Sequence, residues 1–185
     1  SCLVGSEMCI RDRFNTDHRQ AEKYFTEAAK AGIPEAQYEL AELLRRREVS
    51  ERDPAAARKW MREAAFSGIV DAQFRIGVAN WSGIGGKVDQ REAVRWLCRA
   101  AEGGSAKAAA MLAGFLMTGN GLAYSPARAW ALFMRAAKMG NENAAATAKI
   151  LERQLPLQEK RVQRSLLRIK DSKTFLEKLI PRSER

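Results

Sequence analysis

Gly32, Gly68, Gly104 and Gly140 stand 36 residues apart, and each follows an Ala-Ala pair at the same offset: Ala28-Ala29, Ala64-Ala65, Ala100-Ala101 and Ala136-Ala137. Self-similarity at a fixed period of about 20 to 50 residues is the mark of stacked supersecondary units, none of which can bury its apolar face alone. The repeat therefore constrains the chain before any chemistry does. It points to a surface shared by neighbouring units and to a scaffold.

Each unit carries its own helix signals. Asp17, Asp53, Asp89 and Ser125 fall in register, and their short oxygen-bearing side chains suit N-caps, where they accept from the orphan N–H groups of the first turn. Pro54 and Pro126 follow two of them at the first helical position. Glu92, three residues after Asp89, suggests a capping box. The glycines stand where a C′ residue needs a positive φ. A segment such as Asp53 to Gly68 is therefore one helix, termed helix B. Its stripe runs Ala21, Ala57, Ala93 and Ala129, then Tyr24, Trp60, Trp96 and Leu132, then the Ala-Ala pairs. This i, i+3, i+7, i+8 pattern is a packing face that sets one large ring among small residues.

Upstream lies a second helical segment, helix A, with seam positions Ala36, Leu40, Leu44; Ala72, Ile76, Asn80; and Ala108, Leu112, Leu116. Ala41, Gly77 and Ala113 follow the aliphatic position, so a near-absent side chain recurs where another helix must approach. Stacked A–B pairs of this kind give an all-α fold, a right-handed α-solenoid of helix-turn-helix units.

Ala72-Gln73-Phe74-Arg75-Ile76-Gly77, Gly83-Ile84-Gly85, Asp89, Ala93 with Trp96, Ala100-Ala101 and Gly104 together resemble one full Sel-1-like repeat, of the tetratricopeptide-like superfamily. By this resemblance the chain divides into a half repeat (14–32), three repeats (33–68, 69–104, 105–140) and a final helix (141–156). The first A–B loop, Arg45 to Arg52, is charged and lacks the family's glycines; in the third repeat Leu132 takes the Trp position and Trp130 lies two residues earlier. The resemblance implies a non-catalytic adaptor that holds a protein or peptide partner, with no cofactor and no small-molecule substrate.

The two ends stand apart. Residues 1–13 share neither the period nor a helix signal and resemble the translation of a sequencing adapter, so they are expected to be non-native, together with Cys2 and Cys9. The half repeat behind them suggests truncation, which leaves the compartment open. Residues 157–185 hold nine basic and four acidic residues, the densest cationic excess in a chain of net charge +10. Val162, Leu166 and Ile169 form one apolar stripe there and Leu176, Leu179 and Ile180 another, with Lys160, Arg161, Arg164, Arg168, Lys170, Lys173 and Lys178 on the other faces. Two readings stand for this basic amphipathic tail. It closes the open end of the solenoid with its cations solvated, or it binds nucleic acid or an anionic membrane surface.

Enzyme chemistry finds no foothold. His18 is the sole histidine, so neither a triad nor a two-histidine metal motif can be assembled. Cys98 is expected to be a half-buried inert thiol. Gly83-Ile84-Gly85-Gly86-Lys87 follows a helix rather than a strand and is trailed by Val88, so it reads as the A–B loop of a repeat and not as a phosphate loop. Glu35, Glu39 and Glu42 share a helical face expected to be solvated, with Arg46 at i+4 from Glu42.

In tetratricopeptide-like folds helix A lines the concave side. The positions of helix A that point that way off the seam are Tyr38, Glu42 and Arg45; Phe74, Val78 and Trp81; and, in the third repeat, Met117 behind Ala110 and Gly114. Trp81 and Met117 stand out because no apolar residue is required there by the repeat, and aromatic or Met anchors on a groove are common binding hot spots. Inter-repeat packing is the competing reading. Trp60, Trp96, Gly68, Gly104, Gly140, Asp53 and Asp89 are the structural positions of the repeat.

Overall fold

The computed structural model describes residues 20–46 and 53–184. Residues 1–13, Asp17, His18 and the charged loop from position 47 to 52 lie outside the described residues. All regular structure among the described residues is helical. Residues 20–30 form α1, followed by α2 (Pro34–Arg46), α3 (Pro54–Phe66), α4 (Val70–Ser82), α5 (Gln90–Glu102), α6 (Ala106–Thr118), α7 (Pro126–Lys138), α8 (Glu142–Gln154), α9 (Leu157–Leu167), α10 (Ser172–Leu179) and a short 3-10 turn, Arg182–Glu184. This is the all-α, repeat-built solenoid class that the period predicts.

The joint between one helix B and the next helix A is the same four times over. Gly32, Gly68, Gly104 and Gly140 have φ of 85°, 98°, 93° and 90°. Each glycine N–H donates to the second alanine of its Ala-Ala pair, and the next N–H donates to the first: Gly104 to Ala101 at 3.1 Å and Ser105 to Ala100 at 2.9 Å, Gly68 to Ala65 and Ile69 to Ala64 at 3.2 Å each. This is the paired 5→2 and 6→1 closure that satisfies the last carbonyls of a helix, and it requires the left-handed conformation glycine adopts without strain. The alanine pair thus accepts the helix-ending hydrogen bonds as well as packing. Ser105 and Asn141, which complete two of these closures, are also the N-caps of α6 and α8, accepting from Ala108 N and Ala144 N. The residue that completes the closure of one helix is thus the cap of the next.

The chain divides into two compact units, one ending at Ile69 and one beginning at Val70. In the first, α2 packs on α3, and Ala29, Ala36, Leu40, Leu44 and Ala57 form the core with Phe25 and Trp60 half-buried beside it. Asp53 caps α3 by accepting from Ala56 N at 2.9 Å, with Pro54 in the first turn. Tyr24, placed on the buried stripe by its register, is 68% exposed. The ring position alone does not bury a ring. Trp96, the equivalent residue of α5, donates its indole N–H to Glu92 one turn earlier at 2.8 Å, where the residue one turn before Trp60 is Ala56; Trp130 of α7 is buried without such a partner, so the helices stacked on a ring decide its burial.

In the second unit α4 pairs with α5 and α6 with α7, while α8 rides on α7. Seam residues Ala72, Ile76, Ala108, Leu112 and Leu116 are wholly buried, as are Trp96, Leu132 and Trp130. A methyl group on Gly77 would lie 2.9 Å from Leu97 Cγ, which accounts for the absent side chain where α5 crosses α4. Helix α5 contacts α4, α6 and α10, so nearly its whole circumference is covered, and Cys98, expected to be half-buried, is 2% exposed. The proposed capping box at Asp89 is half made. Asp89 accepts from Glu92 N, but its own N–H donates to Asn80 O at 2.8 Å, which leaves the Glu92 carboxylate for Trp96. Ser125 N–H repeats that clip to Leu116 O, also at 2.8 Å, tying each helix B to its own helix A.

The tail is folded onto this unit. α9 lies against α7, and α10 lies against α5 and α9, with Phe175, Leu176, Leu179 and Ile180 all at most 2% exposed. Two arginines of α7, seven residues apart, hold it. Arg135 donates to Ile169 O at 2.6 Å, Lys170 O at 2.7 Å and Ser172 Oγ at 2.9 Å, and its guanidinium lies over the Phe175 ring. Arg128 donates to Leu179 O and pairs with Glu184 at 3.0 Å. The first apolar stripe read in the tail is only partly used: α9 has no fully buried residue, Leu166 and Ile169 are half-buried, and Val162 is 61% exposed. Pro156, preceding α9 in place of a side-chain cap, breaks the chain direction between α8 and α9.

Candidate interaction surface

The outer positions of helix A are where a partner could be met. In the first unit these are Tyr38, Glu42 and Arg45 of α2. Glu42 is not solvated as its helical face suggested but 3% exposed, the one buried acid among the described residues. Arg45 forks onto it, Nε to Oε1 at 3.2 Å and Nη2 to Oε2 at 2.8 Å, and Arg46 adds a 3.4 Å contact. Burying a carboxylate is tolerable only when it is paired and hydrogen-bonded, and two guanidinium groups one turn away supply both. The hydrogen bonds that Arg45 donates to Glu42 hold the guanidinium pKa above its ordinary value. Glu35 and Glu39 of the same face are exposed. Tyr38 is half-buried beside them.

In the second unit the face runs along α4 and α6. Phe74 and Val78 of α4 and Met117 of α6 are each half-buried, with their inner atoms against the main core for Phe74 and Met117. Trp81 stacks on Phe115 of the next repeat with ring centroids 4.1 Å apart and planes inclined by 28°. A side chain on Gly121 would come within 3.6 Å of the same indole, so the neighbouring loop turns close beneath the ring. The two readings of Trp81 therefore coexist: one face is spent on inter-repeat packing and part of the ring remains open. Above Gly114, halfway along α6, a Cβ would meet nothing within 4 Å. The result is a strip of half-buried apolar residues, Phe74, Val78, Trp81 and Met117, with the Trp81 ring braced by Phe115. Phe115 was not singled out from sequence, because the 36-residue period fixes which helices are neighbours but not which way two rings turn.

The glycine loop begins two residues after Trp81. Gly83 and Gly85 have φ of 76° and 72°, and Gly86 N–H donates to Gly83 O at 3.2 Å, forming a tight connection between α4 and α5. It is a loop of the repeat.

The Sel1 repeat family model matches residues 12–33, 34–66, 70–105 and 106–141, more than half of the sequence. The chain belongs to the Sel1 repeat family. Among solved structures, a Sel1 repeat protein from Oxalobacter formigenes is 24% identical with a TM-score of 0.64, over 85% of this chain and 76% of that one. A second, c5321, described as a protective antigen of uropathogenic Escherichia coli displaying an SLR fold, is also 24% identical with a TM-score of 0.60; it matches 88% of this chain, which spans 42% of that protein. No curated protein matches the sequence. Sel1 repeat proteins generally work by binding other proteins, as a non-catalytic type of repeat scaffold.

Proposed function

We propose that this Sel1 repeat chain is a scaffold that receives a peptide or a partner domain on its helix-A face, as a regulator or assembly factor of a signalling or envelope complex. The observation that supports this best is the half-open Trp81 ring, braced by Phe115 at 4.1 Å and followed along the strip by Val78 and Met117. An aromatic held in one orientation loses little side-chain freedom when a partner covers it, which is what distinguishes a binding hot spot from a mobile surface residue. Phe74 extends the strip in the same unit. In the first unit Tyr38 and the Arg45 guanidinium, oriented by Glu42, offer an aromatic and a fixed cation for the same partner class.

Capture of binding proteins by the full chain, compared with Trp81→Ala and Met117→Asp, tests this. Discrete partners held by the parent and lost from both variants, with helical content unchanged by circular dichroism, are the expected result. Equal retention by all three chains would overturn the assignment of the surface.

A further inference from the structure

Folding sorts the charges of the tail. Three of its four acidic residues are engaged: Glu184 pairs with Arg128, Asp171 caps α10 by accepting from Thr174 N at 2.7 Å, and Glu177 is half-buried beside Arg182, while Glu159 in the first turn of α9 is exposed. Among its cations, Arg164 pairs with Glu152 of α8, whereas Arg161, Arg168, Lys170, Lys173 and Lys178 are exposed and make no ion pair among the described residues. On α9, Leu157, Arg161, Arg164 and Arg168 recur at i, i+4, i+7 and i+11, which is one outward stripe. Leu157, at the head of that stripe, is 72% exposed; Val162, 61% exposed, lies about 100° round the helix from Arg161, on the flank it shares with Leu166 and Ile169. Packing of α10 has thus removed the tail's aromatic and much of its aliphatic surface from view, leaving a row of cations headed by one uncovered aliphatic, Leu157, with a second on the flank.

We infer that the outer face of α9 is a docking site for an anionic lipid bilayer. A bilayer surface rewards both halves of this pattern, drawing in Arg and Lys by its negative potential and taking up exposed aliphatics at the headgroup boundary. Nucleic acid would use the cations alone, and the tail presents no exposed aromatic on which a base could stack. Attachment would be peripheral, because no helix among the described residues is long and apolar enough to cross a membrane. This inference is independent of the helix-A surface.

The test is co-sedimentation of the full chain with vesicles of phosphatidylcholine alone or with about a third phosphatidylglycerol, a charged-leaflet mimic. Binding only to the anionic vesicles, and falling steeply as salt is raised, is expected. Arg161→Glu with Arg168→Glu should lower the partition coefficient by about 25-fold or more, from roughly fivefold for each basic residue lost at such a surface. Leu157→Asp should lower it by roughly fivefold more than Gln158→Asp, which makes the same charge change at an exposed polar position. Absence of binding to anionic vesicles would overturn the inference. So would equal losses for Leu157→Asp and Gln158→Asp together with binding to duplex DNA as tight as to vesicles, which would mark the face as a nucleic acid site.

Discussion

The helix pairs α2–α3 and α4–α5 are written on one template and packed to different degrees. Both helix B segments place a tryptophan three residues after the first buried alanine, and both end in an Ala-Ala pair followed by a left-handed glycine. Trp60 is nevertheless only half-buried, with the Lys59 ammonium 6.0 Å from its ring centroid, whereas Trp96 is 1% exposed. The difference lies in the cover: α5 is packed by α6 and α10 as well as by its own helix A, and Glu92 then satisfies the buried Trp96 indole N–H. A repeat position specifies a residue type; its burial is set by what stacks against it.

The comparison can be broken most severely at the rings themselves. Trp96→Ala is expected to lower unfolding free energy by about 3–5 kcal/mol, the range for emptying a buried large side chain, and Trp60→Ala by about half of that. Urea denaturation of the two variants reads the difference; equal losses would mean that α3 and α5 are packed alike. Arg135→Ala removes three hydrogen bonds to the α9–α10 connection and the cover over Phe175, and should destabilise by about 2–3 kcal/mol while raising amide exchange across α10. Exchange in α10 equal to the parent would show that its apolar residues hold it without the clamp. Glu92→Ala strands a buried indole N–H and is expected to cost about 1–2 kcal/mol. Its counterpart in α3 is already Ala56. The smallest effect sharpens what the two pairs share: Gly68→Ala and Gly104→Ala should each destabilise by about 1 kcal/mol, from backbone strain alone, since a Cβ at either meets nothing within 4 Å. Unequal values would show that the joints are not equivalent.

Where the repeat is regular, sequence and structure agree. The period alone gives the helix pairs, the caps at Asp53, Asp89 and Ser125, the seam, and the reason for the four glycines. Departures occur where a residue's fate depends on partners outside its own unit. Glu42 reads as part of a solvated acidic face because Glu35 and Glu39 share its register, and only the fork of Arg45 explains its burial. The Asp89–Glu92 spacing signals a reciprocal box, but the Asn80 carbonyl reaches the Asp89 amide first. The stacking of Trp81 on Phe115 and the hold of Arg128 and Arg135 on α10 join residues 34 to 56 positions apart, a range at which helical periodicity carries no information. The candidate surface was legible as a set of helix-A positions and not as a geometry.

The shared residue at these joints has a consequence for how such chains change. Because the glycine closure of one helix shares a residue with the cap of the next, as at Gly104-Ser105 and Gly140-Asn141, a cut made there separates complete cassettes. Gene duplication or loss of a whole 36-residue block at that seam restores every hydrogen bond of the junction, while an insertion or deletion of one or two residues there leaves a helix end without its donors or the next helix without its cap. Length variation between relatives should therefore come in whole repeats, with smaller insertions confined to the loops inside each helix pair.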